Sequence, residues 1–420
     1  MSMISYENAL AIVLKQARQI STQKRPLLDA LDKIAACNVQ SAIQVPSFCN
    51  SAMDGFAVLS SQLTSAQESN PISLEIACAV AAGDDTVTAD ANKTIQMMTG
   101  AAVPNTYDAV VPVEMVVREG NKAIFTKPAR KGDHIRYAGE DVALGQYVLR
   151  KGERITPENI MLLSAVGIHE VEVMHLPRLH IFSTGNEISD DYAKPLSGSQ
   201  IYNSNAPYLL AASRQHGLNA QYEGIVRDDP ALFETMLNSI TEPAIIISTG
   251  AVSKGAWDFI PDSLKKLGAT VHFHRVNVRP CKPVLFATLN NGNYYFALPG
   301  NPISAAVGFV FFVLPLLRAL QGSAQSAALT AKLAGNFTKK GDFHQFLKAG
   351  LSVDAAGQLT ADISQGQESF KIGAMAASNA WVILDASKNQ WNAGDVVTVV
   401  PYGNVIAKDI GGSVVSTSVP

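Results

Sequence analysis

Apolar residues recur at helical spacing at the start of the chain. Ala9, Ile12, Val13 and Ala17 fall on one side and Lys15 and Arg18 on the other, which predicts an amphipathic helix within residues 5–20. From Val45 the texture changes to short alternating runs, Ile72-Ser-Leu-Glu-Ile-Ala-Cys78, Lys93-Thr-Ile-Gln-Met-Met98, Ala109-Val-Val-Pro-Val113 and Ala123-Ile-Phe125, punctuated by glycine, proline and aspartate. Such runs predict a β-rich domain over residues 45–140. Within 141–176 a helix is expected after Thr156 as N-cap, with Pro157 at its first position and Gly167 near its end. We expect this segment to return to the opening helix, so that residues 1–44 with 141–176 form a discontinuous, elongated helical domain.

Over residues 177–322 strands and helices alternate. Helices are predicted from Asn205 to about Gly217, after Asp229 with Pro230 at its first position, around Asp258–Leu267 and from Pro302; a hairpin is predicted at Asn291-Gly292. This order predicts a doubly wound, mainly parallel α/β domain. Strand-like runs such as Ala380-Trp-Val-Ile-Leu384 and Asp395-Val-Val-Thr-Val-Val400 complete the picture with a small C-terminal β-domain, residues 323–410. The fold class is therefore multidomain α/β plus β.

Composition narrows the function classes. With 420 residues, 47% hydrophobic and 16% charged, the chain is globular and exceeds one ordinary core. A net charge of -3 gives no global case for nucleic acid or an anionic membrane, so any anion-binding charge is local. The apolar stretch Pro302–Leu317 is shorter than the roughly 18–20 residues of a membrane span and contains Pro315, so a buried helix is expected. Cys37, Cys49, Cys78 and Cys281 lack metal or disulfide spacing and read as reduced thiols. No basic segment followed by an apolar one opens the chain, and the cytoplasm is the expected compartment.

Three strand-like runs break off into short polar loops: Leu179–Phe182 before Ser183-Thr-Gly-Asn-Glu187, Ala244–Ile247 before Ser248-Thr-Gly250, and Tyr294–Leu298 before Pro299-Gly-Asn-Pro302. Ligands of open α/β sheets bind at the carboxyl ends of parallel strands, where such loops offer N–H groups and hydroxyls to phosphate. Candidate binding residues are therefore Ser183, Thr184, Gly185, Glu187, Ser248, Thr249, Gly250, Ser253, Pro299, Gly300 and Asn301. Glu187 offers a carboxylate for a metal or a ribose, and Asp258 either ligands Mg²⁺ or caps the next helix. Arg275, Arg279 and Lys282, set among Pro280 and Pro283, suit phosphate or another oxyanion. Asp229 reads as a helix cap, which leaves Asp228 as the free carboxylate; Asp54 precedes Gly55 and fits turn chemistry equally well. No Ser/His/Asp or metal-spaced histidine cluster is present in the sequence, so nucleophilic hydrolysis has no support.

Taken in order, several segments resemble the MoeA family of molybdopterin molybdenumtransferases, seen also in the C-terminal domain of gephyrin. They are Asn50-Ser-Ala-Met-Asp-Gly-Phe-Ala57, Met98-Thr-Gly-Ala-Ala-Val-Pro104, Asp108-Ala-Val-Val-Pro-Val-Glu114, Ile135-Arg-Tyr-Ala-Gly-Glu-Asp-Val142, Ser183-Thr-Gly-Asn-Glu187, Tyr202-Asn-Ser-Asn205, Asp228-Asp-Pro230, Arg279-Pro-Cys-Lys-Pro283 and Leu298-Pro-Gly-Asn-Pro302. The resemblance implies a four-domain homodimer that takes adenylylated molybdopterin and molybdate to molybdenum cofactor and AMP with a divalent cation, usually Mg²⁺. It implies a catalytic set of Asp54, Thr99, Asp141, Asp228 and Asp258, a metal set of Glu187 and Asp258, and an anion set of Arg275, Arg279, Lys282 and Ser369, with the residues of the β-rich and α/β domains meeting across the dimer cleft. A molybdopterin adenylyltransferase would stand upstream, and molybdoenzymes or their chaperones downstream.

The chain also departs from the family pattern. Ala251 stands where a second glycine is usual, Cys281 replaces the glycine of Pro-Gly-Lys-Pro, Asn186 replaces a common aspartate and Lys254 adds a cation. Ser369-Phe-Lys-Ile-Gly-Ala-Met375 stands where the family favours a serine-rich run. If Ala251 and Cys281 require left-handed backbone, their side chains crowd it. These departures keep a non-catalytic carrier of molybdopterin or of its finished cofactor as the alternative function.

Overall fold

A computed structural model describes residues 3–251, 259–322, 328–354 and 356–402. Two compact units emerge, Met1–Gln23 with Met174–Pro420, and Lys24–Val173.

The first unit is built on six strands, β1 (Arg178–Thr184), β2 (Ala220–Val226), β3 (Ala244–Thr249), β4 (Thr270–His274), β5 (Leu285–Thr288) and β6 (Tyr294–Leu298). Their order across the sheet is β2-β1-β3-β6-β5-β4, parallel from β2 to β6 and antiparallel at the β6-β5-β4 edge. The antiparallel edge follows from the hairpin at Asn291-Gly292, where Gly292 takes φ 88°. Helix α1 is Tyr6–Lys15, α2 Asn205–Gln215, α3 Pro230–Ser239 and α4 Ile260–Lys266. Asp229 caps α3 by accepting N–H bonds from Ala231 and Leu232 at 2.8 and 3.4 Å, as its position before Pro230 predicts.

Helix α5 runs from Pro302 to Leu320, longer than the apolar stretch the sequence suggests, and is long and apolar enough to cross a bilayer. Its apolar window is 78% buried inside the protein, so it is a core helix. A π-turn over Phe309–Val313 sits just before Pro315, the residue that cannot donate to the carbonyl four positions back.

The opening helix departs from expectation. It belongs to the first unit, and its Ala9 and Val13 are buried in the α/β core with Leu316, Phe312 and Leu298. Tyr6 meets Phe312 and Phe346 edge-on with centroids 5.7 and 5.3 Å away, and the Tyr294 hydroxyl donates to Gln16 O at 2.7 Å. An amphipathic stripe states that one face is buried, not which core receives it.

A second sheet in this unit contains Leu329–Leu333, His344–Val353, Leu359–Ile363, Ala380–Leu384 and Val396–Pro401, with Val278–Arg279 added parallel to His344–Gln345. The segment carrying Arg279 is thus an edge strand of the C-terminal sheet.

The second unit has three cores. One packs Leu27, Ala30 and Ala35 with Val142, Leu149, Ile155, Leu163 and Val171. Its helix Pro157–Ala165 begins with a capping box between Thr156 and Asn159, the start the sequence marks. The other two take alternating residues, Phe56 and Val58 in one and Ala57 and Ile95 in the other, of a six-stranded sheet ordered Ala109–Pro112, Gly55–Val58, Lys93–Met97, Ile72–Val80, Lys122–Phe125 and Val116–Glu119.

Replacing Val13 by Ala removes fully buried apolar volume and is expected to cost about 1–3 kcal/mol. Amide exchange will show the loss in β6 and α5, with residues 157–173 unchanged; faster exchange confined to 157–173 would return the helix to that segment.

Candidate functional site

The order of strands reverses at β1, with β2 on one side and β3 on the other, and at such a switch point the carboxyl ends open a crevice. Ser183, Thr249 and Leu298 lie side by side in register, which brings the three predicted loops to one edge. Gly250 donates its N–H to Leu298 O at 3.0 Å. A Cβ on Gly250 would stand 2.3 Å from Thr184 O, and the residue takes φ +100°, so both space and backbone exclude a side chain there.

The hydroxyls at the strand ends are mostly committed to the fold. Thr184 Oγ1 donates to Thr249 O at 3.2 Å, Thr249 Oγ1 to Ser183 Oγ at 3.3 Å, and Ser248 shares a 2.6 Å bond with the Tyr295 hydroxyl. Ser183, Thr184, Ser248 and Thr249 are all buried. The groups left open at the rim are the loop backbone and the exposed side chains of Asn186, Glu187 and Asn301. Asn301 stands at the N-cap of α5, yet its side chain makes no capping bond; the first N–H of the helix, from Ile303, donates to Ser369 O at 3.1 Å. Ser369 therefore reaches this edge through its carbonyl. Pro299, buried between Leu298 and Gly300, completes the third loop.

The segment Tyr202-Asn-Ser-Asn205 ties this edge together. Asn203 donates to Ser183 Oγ, Asp190 Oδ1 and the Tyr222 hydroxyl at 3.1, 2.8 and 2.9 Å, while Tyr222 donates to Asp190 Oδ2 at 2.6 Å. Burial, then the Asp190 carboxylate, pushes the Tyr222 hydroxyl well up, so it stays a donor. Asn205 donates to Gly300 O at 2.8 Å and holds the third loop; its buried Oδ1 has no partner among the described residues. Two asparagines flanking a serine just before a helix are the signal that marks this hub.

Beside the edge, Asp228 is half-buried and lies near Glu187, with Asn186 Nδ2 at 3.5 Å. Burial first, then the Glu187 charge, raises the Asp228 carboxyl above its usual range. Two carboxylates are what Mg²⁺ takes from a protein when phosphates and water fill its other positions. Among the described residues no group of three or more His, Cys, Asp or Glu is placed to hold a metal ion. Asp258 and Ser253, and with them the Lys254 departure, lie outside the described residues.

Arg275 is half-buried, Arg279 and Lys282 are exposed, and none has a carboxylate partner among the described residues. Both departures from glycine take left-handed backbone, with φ 45° at Ala251 and 76° at Cys281; Arg275 takes φ 81°. Cys281 is buried, its thiol pushed well up by burial, so it is a packing group and not a nucleophile.

In the second unit, Asp54 Oδ1 accepts the Thr99 N–H at 2.7 Å and the Thr99 hydroxyl at 2.8 Å. The backbone bond, then the hydroxyl, holds the exposed Asp54 carboxyl below its usual range. Asp141 is exposed on the turn whose backbone bonds Val45, and its carboxylate has no partner among the described residues.

Comparison with known proteins accounts for nearly the whole chain. Residues 4–167 match the family profile described as "MoeA N-terminal region (domain I and II)", 180–319 the "Probable molybdopterin binding domain", and 330–402 the "MoeA C-terminal region (domain IV)". The chain is 33% identical over 404 residues to a molybdopterin molybdenumtransferase of Synechococcus elongatus, covering 94% of this chain and 99% of that protein. It is 31% identical over 411 residues to a protein of the same name from Haemophilus influenzae, covering 96% and 100%. A crystal structure of the molybdopterin biosynthesis MoeA protein of Pyrococcus horikoshii superposes with TM-score 0.82 at 28% identity, over 96% of this chain and 100% of that one. A multidomain chain with three polar loops at a parallel-sheet switch point is the class so defined. This chain belongs to the MoeA family.

Asp228 binds its proton more tightly when folded, so its contribution destabilises the native state as pH rises through its titration and stays unfavourable above it. Asp228→Asn is therefore expected to raise the melting temperature at pH 7, with the gain vanishing near pH 3. A melting temperature unchanged at both pH values would remove the repulsion with Glu187.

Proposed function

We propose that this chain is a molybdopterin molybdenumtransferase, which inserts molybdenum from molybdate into adenylylated molybdopterin and releases AMP. The observation that carries the reading is the near-complete coverage of relatives bearing that name, together with the three polar loops gathered at the carboxyl edge of the α/β sheet. The loop backbones of Gly185, Gly300 and Asn301 would hold the phosphates, and Gly250, whose N–H is taken by Leu298 O, would leave them room to approach. Arg275, Arg279 and Lys282 are the cations proposed for molybdate, with Ser369 as a further member of the proposed anion set. Asp54, Thr99 and Asp141 complete the proposed catalytic set; the Thr99 bonds keep Asp54 ionised.

Glu187 and Asp228 would hold Mg²⁺ on the side of the edge where their like charges meet, with Asp258 as a further proposed ligand. A bound Mg²⁺ would neutralise phosphate charge and polarise the phosphoanhydride. The protein's own work is to orient the anions and place cations where charge develops; no protein nucleophile is required. The substrate would come from a molybdopterin adenylyltransferase and the product pass to molybdoenzymes or their chaperones, in the cytoplasm.

The test is AMP release from adenylylated molybdopterin with Mg²⁺, with and without molybdate. Molybdate-dependent AMP and active cofactor are expected. The double variant Arg279→Ala with Lys282→Ala is expected to need about ten-fold more molybdate or above. Tight binding without turnover would favour a carrier, the reading that the left-handed Ala251 and Cys281 motivate.

We further propose a homodimer formed through the second unit. Leu28 and Met161, on elements that touch, are 78% and 71% exposed, and Leu31 near Leu28 is 41% exposed. Light scattering should give twice 44.7 kDa for the native chain and a single 44.7 kDa for Leu28→Glu with Met161→Glu. A monomeric native chain would end this proposal.

A further inference from the structure

The turn over residues 367–372 belongs to the C-terminal sheet and is unusually well fixed. The Lys348 amine, fully buried in the strand His344–Val353, donates to Glu368 O at 3.2 Å and Lys371 O at 3.4 Å. Gln367 accepts from Lys348 N at 3.0 Å and donates back to Lys348 O at 2.8 Å and to Ser364 O at 2.7 Å. Within the turn Lys371 N–H donates to Glu368 O and Ile372 N–H to Phe370 O, at 3.1 and 3.0 Å. Burial lowers the pKa of Lys348, and the two carbonyls supply acceptors to either of its protonation states.

Ser369 O accepts the Ile303 N–H, so this rigid turn is moored two residues from Asn301, at the edge where the three loops meet. The short helix Ile372–Ala376 packs on α5, and Met375 on the α/β core. At the tip of this moored turn Phe370 is 64% exposed, and Ile372 beside it 46%. A phenyl ring held in water on an immobilised backbone loses little conformational freedom when a flat partner covers it.

We propose that Phe370 is a stacking platform for a planar heteroaromatic ring of the substrate, and hence a specificity-determining residue. The proposal rests on the molybdenumtransferase reading, whose substrate carries two such rings, the pterin and the adenine. Phosphates held at the Gly300-Asn301 loop leave a ring to either side of them, and the moored turn offers Phe370 beside that loop. Lys348 and Gln367 are its positioning residues, acting through the turn.

Equilibrium titration of adenylylated molybdopterin and, separately, of AMP into the full-length native chain, Phe370→Ala, Phe370→Leu and Phe370→Trp tests this. Stacking predicts about a ten-fold weaker Kd for Ala, a similar loss for Leu, near-native affinity for Trp, and quenching of the introduced indole's fluorescence by the bound ring. A matching loss for AMP assigns the ring as adenine; an unchanged AMP affinity assigns the pterin. Ala or Leu binding as tightly as the native chain overturns the platform while leaving native turnover, and so the enzyme reading, untouched. Absent molybdate-dependent AMP release would defeat the enzyme reading while the Kd series still decides the platform.

Discussion

The first unit depends on how closely three strand ends can approach one another. Gly250 lies against the Thr184 carbonyl at a separation that no Cβ permits, and its N–H closes on Leu298 O. With that contact goes the side-by-side register of Ser183, Thr249 and Leu298, which sets their three loops along one edge. The buried hydroxyls of Ser183, Thr184 and Thr249 then satisfy one another and the strand-end carbonyls, as buried polar groups must. What remains for a ligand is backbone and rim.

Both departures from the family's glycines stand in backbone that favours glycine. The left-handed region costs an ordinary residue about 1 kcal/mol or more, and Ala251 and Cys281 both occupy it. Each has a compensating contact. Ala251 packs at the border of the core containing Phe233 and Tyr295. The Cys281 thiol lies beside Gly308, where an added Cβ would come within 3.2 Å of its sulfur. Gly308 also leaves room for Leu298, with which an added Cβ would collide at 2.5 Å, so a small residue in α5 makes both the thiol and the strand end fit.

The C-terminal sheet serves the same edge by a different device. Lys348 and Lys339 are buried amines that donate to backbone carbonyls, Lys339 to those of Phe343 and Asp385. An amine withdrawn from water is costly unless it is hydrogen-bonded, so each lysine ties the loop that supplies its acceptors. In the case of Lys348 that loop is the one Ser369 joins to α5, and a sheet distant in sequence is thereby tied to the edge where the three loops meet.

Local chemistry was legible along the chain wherever neighbours in sequence are neighbours in space. Thr156-Pro157 and Asp229-Pro230 mark helix starts, Asn291-Gly292 a hairpin, and the Ser-Thr-Gly loops the ends of strands, because caps, fixed φ and positive φ act within a few residues. Ordered motifs carried the family. Other features have no local signature. The destination of α1, the pairing of Val278–Arg279 with His344–Gln345, the burial of Lys348 and the commitment of Ser248 to Tyr295 all join residues tens to hundreds of positions apart. A residue type announces a hydrogen bond or an apolar face; which partner satisfies it is settled when the sheets close and water is excluded.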